Sequence, residues 1–226
     1  MKRKTGIIIA VIIMSILLYL AGVMSGLFAN KLLEQRTKQD LQSLRSYVDV
    51  LDANVKNMQL EQVFAETLSR EEYCKFSAVS TNYLVGQLRE YWLKLPFRIE
   101  EYEQTNKLSD TYLQLKKEYT QVSIRTWIVV RNKYSQCNAG LLPVLYLYNA
   151  NCTSCTEQGK ELDDIQRRAL AEKKDILVLT VDSDADEIII KTLKQYYGIT
   201  STPAIIIGNR VFQGRVFTAD QLSLYV

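Results

Sequence analysis

The chain has 226 residues, with 28 Lys and Arg against 25 Asp and Glu and a net charge of +3. So even a balance, with no basic block beyond the extreme N-terminus, offers no electrostatic footprint for nucleic acid. Histidine is absent, which excludes Cys-His and Ser-His nucleophiles and most zinc sites. An apolar share of 47% excludes a globally disordered chain. Chemistry must therefore rest on four cysteines, the carboxylates, Lys, Tyr and Ser/Thr, and the length allows one or two domains.

In chain order, residues 1–5 form a short basic flank, and Gly6 to Phe28 is an apolar run without a charge. As a helix the run is long enough to cross a hydrocarbon core. Lys2, Arg3 and Lys4 before it predict a cytoplasmic N-terminus and place everything after Asn30 outside. A cleaved signal peptide is the rival, since Ala21-Gly22 and Phe28-Ala29 supply small residues near its end. Both readings export the remainder into a compartment where disulfides persist. Gly22 and Gly26 form a small-xxx-small pair that would let two such helices approach, so a homodimer is an expectation.

Residues 30–138 read as a helical hairpin or bundle. Leu41, Leu44, Val48, Leu51, Val55 and Met58 form one apolar stripe, which fades at Gln62 and Ala65, short of a sustained coiled coil. Ser69 to Glu72 read as a capping box. The helix it opens carries Tyr73, Phe76, Tyr83, Leu88 and Trp92 on its face, and Pro96 is expected to close it. Leu108, Tyr112, Leu115, Tyr119, Val122 and Val129 mark a third helix, ending near Asn138-Ala139-Gly140. Cys74 lies early in the second of these helices and Cys137 at the end of the third, positions that antiparallel packing could bring together.

From residue 141 to 226 the period changes. Val144 to Tyr148 read as a strand, and Asn149-Ala150-Asn151 lead into Cys152-Thr153-Ser154-Cys155. A helix is expected to begin there, with Asn151 as N-cap and Leu162, Ile165 and Ala169 buried. Ile176 to Val181 is an apolar run typical of a strand covered on both faces. Ser183 to Asp186 are expected to start a helix burying Ile189, Leu193 and Tyr196 and ending at Gly198. Thr202-Pro203 opens a strand from Ala204 to Ile207, Gly208-Asn209 turns it into Val211-Phe212, and Thr218 to Gln221 cap a last helix.

This βαβαββα order resembles the thioredoxin superfamily over roughly the last third of the chain. The likeness is carried by Cys152 and Cys155 at a strand-to-helix junction, the Tyr197-Gly198-Ile199 to Thr202-Pro203 segment, and the terminal hairpin and helix. The resemblance implies Cys152 as nucleophile, Cys155 as resolving thiol, and Thr202-Pro203 as the cis-proline that contacts substrate backbone. It also pairs Cys152 with Cys155, leaving Cys74 and Cys137 as a structural disulfide. Asn151 stands where thioredoxins carry Trp, and Thr153-Ser154 replace Gly-Pro. No acid occupies the strand before the dithiol, so proton transfer falls to water or Glu157.

The expected activity is that of a membrane-anchored thiol–disulfide oxidoreductase acting on exported proteins, recycled by a membrane or soluble redox partner and needing neither cofactor nor metal. Two other readings stay open. One is a non-catalytic thioredoxin-like interaction module whose CxxC is a structural disulfide. The other is a four-thiolate metal site built from Cys74, Cys137, Cys152 and Cys155. The topology has a direct test. The protein should resist carbonate extraction from membranes, and its C-terminal domain should be cleaved by protease added to the outer face; protection there would reverse the orientation.

Overall fold

The computed structural model describes residues 2–105, 109–137 and 140–226, with side chains from Ile13 onward except at 84, 85, 87, 104 and 105. The basic side chains of Lys2 to Lys4, Leu108 and Asn138-Ala139 lie outside the described residues. The chain divides into two compact units, Met1–Ser43 and Leu44–Val226. Helix α1 spans Lys2–Ala65. Its portion in the first unit exposes Ile16, Leu17, Leu20, Met24 and Phe28, and it is long and apolar enough to span a membrane.

In the second unit α1 buries Leu44, Val48, Leu51, Val55 and Met58, and the stripe continues to Ala65 rather than fading. The small side chain hides the repeat from a hydrophobicity count but keeps its phase. Ser69 and Glu72 form the capping box, with Ser69 N–H donating to the Glu72 carboxylate at 3.1 Å and Glu72 N–H donating to Ser69 Oγ at 3.4 Å. It opens α2, Arg70–Thr105.

Helix α2 departs from expectation twice. Pro96 does not end it but lies inside it. Proline costs roughly 3 kcal/mol in a helix interior, through the missing N–H and a clash with the preceding turn. Trp92 and Leu95 before it and Ile99 and Tyr102 after it keep one buried face in phase, and at about 1.5–3 kcal/mol for each buried side chain they outweigh that cost. Tyr83 is not on the buried face but 65% exposed; the buried positions there are Ser77, Ser80 and Thr81, polar residues that an apolar count passes over.

Helix α3, Asp110–Cys137, is buried on more than one side. Tyr112, Leu115, Tyr119, Val122, Thr126 and Val129 form one row, and Thr120, Ile124 and Trp127 extend the burial around the helix. It packs against α2 and against two strands, β1 (Leu141–Tyr148) and β2 (Asp175–Asp182). The helical segment and the sheet thus belong to one compact unit. Lys133 is buried between α1 and α2, donating to Ser80 Oγ at 2.6 Å with Glu61 at 3.9 Å.

The sheet has the order β2-β1-β3-β4, where β3 is Ala204–Ile207 and β4 is Arg210–Gln213. Strands β1 and β2 run parallel, whereas β1 and β3, and β3 and β4, are antiparallel. One face buries Leu142, Val144, Tyr146, Ile205 and Ile207 under Leu162, Ile165, Ala169 and Leu222. These last come from α4 (Cys155–Ala171) and α6 (Ala219–Ser223). Side chains alternate along a strand, so Leu145, Leu147 and Leu179 occupy the other face, toward α3.

Helix α5, Ile188–Tyr197, starts later than the sequence suggests and buries Ile190 and Leu193, while Tyr196 is exposed. Ser183 N–H donates to the Tyr148 carbonyl at 2.7 Å, and Asp184 N–H to the Asp182 carboxylate at 2.9 Å. These bonds hold the chain as a turn and delay the helix, which shifts its buried face.

The phenol of Tyr119 meets Thr180 Oγ1 at 2.7 Å, joining α3 to β2. Tyr119→Phe should lower stability by about 1–2 kcal/mol, because it leaves the Thr180 hydroxyl without its partner. The change should appear as a lower urea midpoint at unchanged slope, and combining it with Thr180→Val should cost less than the sum of the two.

Candidate functional site

The end of β1 leads through a turn into the CxxC. Cys152 N–H donates to the Asn149 carbonyl and Cys155 N–H to the Cys152 carbonyl, both at 3.2 Å. These two successive turns replace the expected helix start. The N-cap of α4 is Ser154, not Asn151, and Cys155 is the first helical residue. Cys152 and Cys155 are joined by a disulfide with their Cα atoms 5.3 Å apart. Cys152 is half-buried and Cys155 is 7% exposed, so Cys152 is the more accessible residue of the pair. Tyr146, buried on β1, donates its hydroxyl to the Cys155 carbonyl at 2.7 Å, and burial pushes its phenol up.

Thr202-Pro203 is a cis peptide bond. The register pairs Leu147 with Ala204, so Pro203 lies one residue beyond, at the end of the sheet where the dithiol follows β1. Two residues that sequence reasoning passed over hold this loop. The Gln213 side chain accepts from Thr200 N–H at 2.8 Å and donates to the Gly198 carbonyl at 3.0 Å. Gly214 has φ +80°, and a Cβ there would lie 2.9 Å from Ser201 Oγ, so its backbone excludes other residues. Its N–H donates to the Pro203 carbonyl at 3.0 Å.

On the α2 side of the dithiol lies a cavity of about 450 Å³. Trp92, Phe97, Tyr119, Tyr146 and Tyr148 supply aromatic walls, Cys152 and Cys155 are part of the lining, and Glu100, Glu103 and Asp163 add carboxyl groups. The Thr202-Pro203 loop is not part of this wall. Lys116 bridges Glu103 at 2.8 Å and Asp182 at 2.9 Å. Burial pushes the Asp163 carboxyl up to about 6, with the Glu100 charge adding to the rise and Arg167 opposing it.

Glu157, the acid singled out by sequence, is exposed and does not line the cavity. Asp163, half-buried on the same helix, does line it. Cys155, Gly159 and Asp163 follow one another at four-residue spacing, a helical signal that a sequence reading could have used. Glu100 and Trp92 come from α2, and only tertiary packing brings them here.

Cys74 and Cys137 form a second disulfide, across a separation of 63 residues. Closing a loop of that length is worth roughly 4 kcal/mol in the chain-entropy treatment. The four cysteines therefore stand as two pairs.

A four-stranded mixed sheet covered on both faces, a CxxC at a strand-to-helix junction and a cis-proline opening the next antiparallel strand define a thioredoxin-like fold for residues 141–226. Two solved structures are similar to part of the chain. One is a malarial protein, 23% identical, matched over 38% of this chain and 92% of its own with a TM-score of 0.30. The other is thioredoxin-2, a component of the malaria parasite protein secretion machinery, 24% identical over 36% of this chain and 77% of its own, with a TM-score of 0.28. No protein-family model matches the chain, and no curated protein does.

Asp163 yields a pH prediction. Its folded carboxyl is raised above the unfolded value, so its contribution to stability is fully present below 3.8 and is lost as pH rises through about 6. Wild type should therefore lose stability relative to Asp163→Asn across that window, in urea titrations at successive pH values. Carboxyl NMR should find Asp163 titrating near 6, and Glu100→Gln should lower it.

Proposed function

We propose that the chain is a membrane-anchored, extracytoplasmic thiol–disulfide oxidoreductase that exchanges disulfides with exported proteins. The observation that carries this reading is the Cys152–Cys155 pair at the start of α4, one residue half-buried and one buried, at the sheet end where Thr202-Pro203 is cis. The apolar portion of α1 supports anchoring. The Cys74–Cys137 disulfide fits an oxidising compartment.

In the exchange, a substrate thiolate attacks Cys152 Sγ, the S–S bond to Cys155 breaks, and Cys155 leaves as a thiolate. A second substrate thiolate then attacks the mixed disulfide, so the substrate gains a disulfide and Cys152 is released reduced. Two electrons and two protons have moved to the protein, and the reverse sequence reduces a substrate disulfide. The N-terminal end of α4 favours negative charge on the nearby Cys152 sulfur. Thr202 and Pro203 shape the groove along which substrate backbone lies, and a separate redox partner restores the starting state.

In the reduced protein Cys152 should be alkylated near neutral pH much faster than Cys155. Cys155→Ser should trap exported proteins as mixed disulfides through Cys152, visible on non-reducing gels and released by thiol. Equal, slow alkylation with no adducts would instead make the CxxC a structural disulfide of an interaction module.

A further inference from the structure

We propose that the cavity beside the dithiol receives a bulky apolar side chain of the substrate, so that the preferred substrates are polypeptides with a residue such as Phe, Trp or Leu two positions from the reactive cysteine. The proposal rests on the oxidoreductase reading and names the substrate class of that site.

The inner wall of the cavity is apolar and aromatic. Trp92, Ile99, Tyr119, Tyr146 and Leu162 line it and are buried, while Phe97, Ala150, Thr156 and Lys160 are exposed and mark where it opens. The hydroxyls of that inner wall are already engaged. Tyr119 meets Thr180 Oγ1 at 2.7 Å, and Tyr146 donates to the Cys155 carbonyl at 2.7 Å. Trp92 Nε1 and Asn149 Oδ1 are inaccessible to water, so neither opens onto the cavity. The inner wall therefore asks no hydrogen bond of its occupant, and an apolar one meets it without cost to a polar group.

Charge does not select the occupant. Both signs line the cavity, Glu100, Glu103 and Asp163 with Lys160. Lys116 bridges Glu103 at 2.8 Å and stands 5.3 Å from the centre of the Tyr148 ring, and Arg167 acts on Asp163. A charged side chain of either sign would meet like charge on entering and would lose its hydration.

Gly159 gives the cavity its room. It lies inside α4 and lines the cavity. A glycine inside a helix is less stable there than alanine. No close contact demands one here, since an added Cβ would meet nothing within 4 Å. The missing side chain leaves open space one helical turn from Cys155. An apolar cavity of roughly 150 Å³ already admits benzene, so about 450 Å³ holds a phenyl or indole ring with the stem that carries it.

The reach also fits. Cys152 and Cys155 belong to the same wall, so a cysteine attacking Cys152 stands at the cavity. In an extended peptide, residues two apart point the same way, about 6.7 Å from one another. The side chain two positions away thus turns toward the cavity when the cysteine turns toward the dithiol. Trp92, Phe97 and Ile99 come from α2, so this subsite is built by the helical segment and not by the thioredoxin-like fold alone.

The test uses the full oxidised chain in nanodiscs and otherwise identical cysteine peptides bearing Phe, Ala, Lys or Glu two positions from the cysteine on either side. Reduction of Cys152–Cys155 by each is followed by acid quenching, alkylation and mass spectrometry. Rates are normalised to each peptide's rate with glutathione disulfide, which removes the effect of the flanks on the thiol itself. The Phe peptide should react about tenfold faster than the Ala peptide, the scale set by withdrawing a ring from water. The Lys and Glu peptides should react no faster than Ala. Gly159→Leu fills the cavity from within and suits a helix better than glycine does; it should bring the Phe-to-Ala ratio to about one. Phe97→Ser, on the exposed rim, should lower the ratio, and it covers the case in which Gly159→Leu does not fold. Leu170→Ser, an exposed apolar residue of α4 away from the cavity, should leave the ratio intact. Equal normalised rates in wild type, a preference for Lys or Glu, or a Phe preference that survives both cavity variants would overturn the proposal while leaving the oxidoreductase reading in place. If no peptide reacts, that reading falls and this one with it.

Discussion

The two central strands are buried on both faces, and everything else in the second unit follows from covering them. Leu145 and Leu147 of β1 and Ile205 and Ile206 of β3 are inaccessible to water, and each such side chain is worth roughly 1.5–3 kcal/mol only while it stays so. Helices α4 and α6 cover one face with Leu162, Ile165 and Leu222. On the other, α5 runs only from Ile188 to Tyr197 and buries Ile190 and Leu193, too little for the area. Helix α3 completes that layer, which is why it is buried on several sides and why the helices before the sheet belong to the same compact unit.

That arrangement shapes the site. With α3 on the sheet, α2 brings Trp92, Phe97 and Glu100 beside the CxxC and walls off a cavity that the C-terminal segment alone would not enclose. The dithiol is held from below by the Tyr146 hydroxyl on the Cys155 carbonyl, while Gln213 and Gly214 hold the loop before the cis-proline. Two of the three sides of the site thus come from the thioredoxin-like fold and the third from the helical segment. Of the charged residues that line the cavity, Glu100 and Glu103 come from that third side and Lys160 and Asp163 from α4.

Where an element's local chemistry was strong, it was legible in the sequence. The Ser69/Glu72 and Thr218/Gln221 capping boxes are made by residues three apart and need no tertiary partner. The reading failed where packing overrode a local preference. Pro96 is carried through α2 by buried side chains on either side of it. The start of α5 is delayed by the bond from Ser183 N–H to Tyr148, a residue distant in sequence. Tyr83 is exposed although it is aromatic, because helical phase puts Ser77, Ser80 and Thr81 on the buried face instead.

By itself, then, the sequence determined the apolar N-terminal helix, the alternation of helix and strand after residue 141 and the pairing chemistry available to a CxxC. These depend on intervals of a few residues, over which backbone geometry is set by propensity, capping and periodicity. Only the tertiary structure decided that α3 lies on the sheet, that Asp163 rather than Glu157 lines the cavity, and that Glu100 and Trp92 line it with Cys152 and Cys155. Those outcomes turn on which surfaces exclude water together, and groups more than fifty residues apart leave no local pattern by which such a meeting can be read.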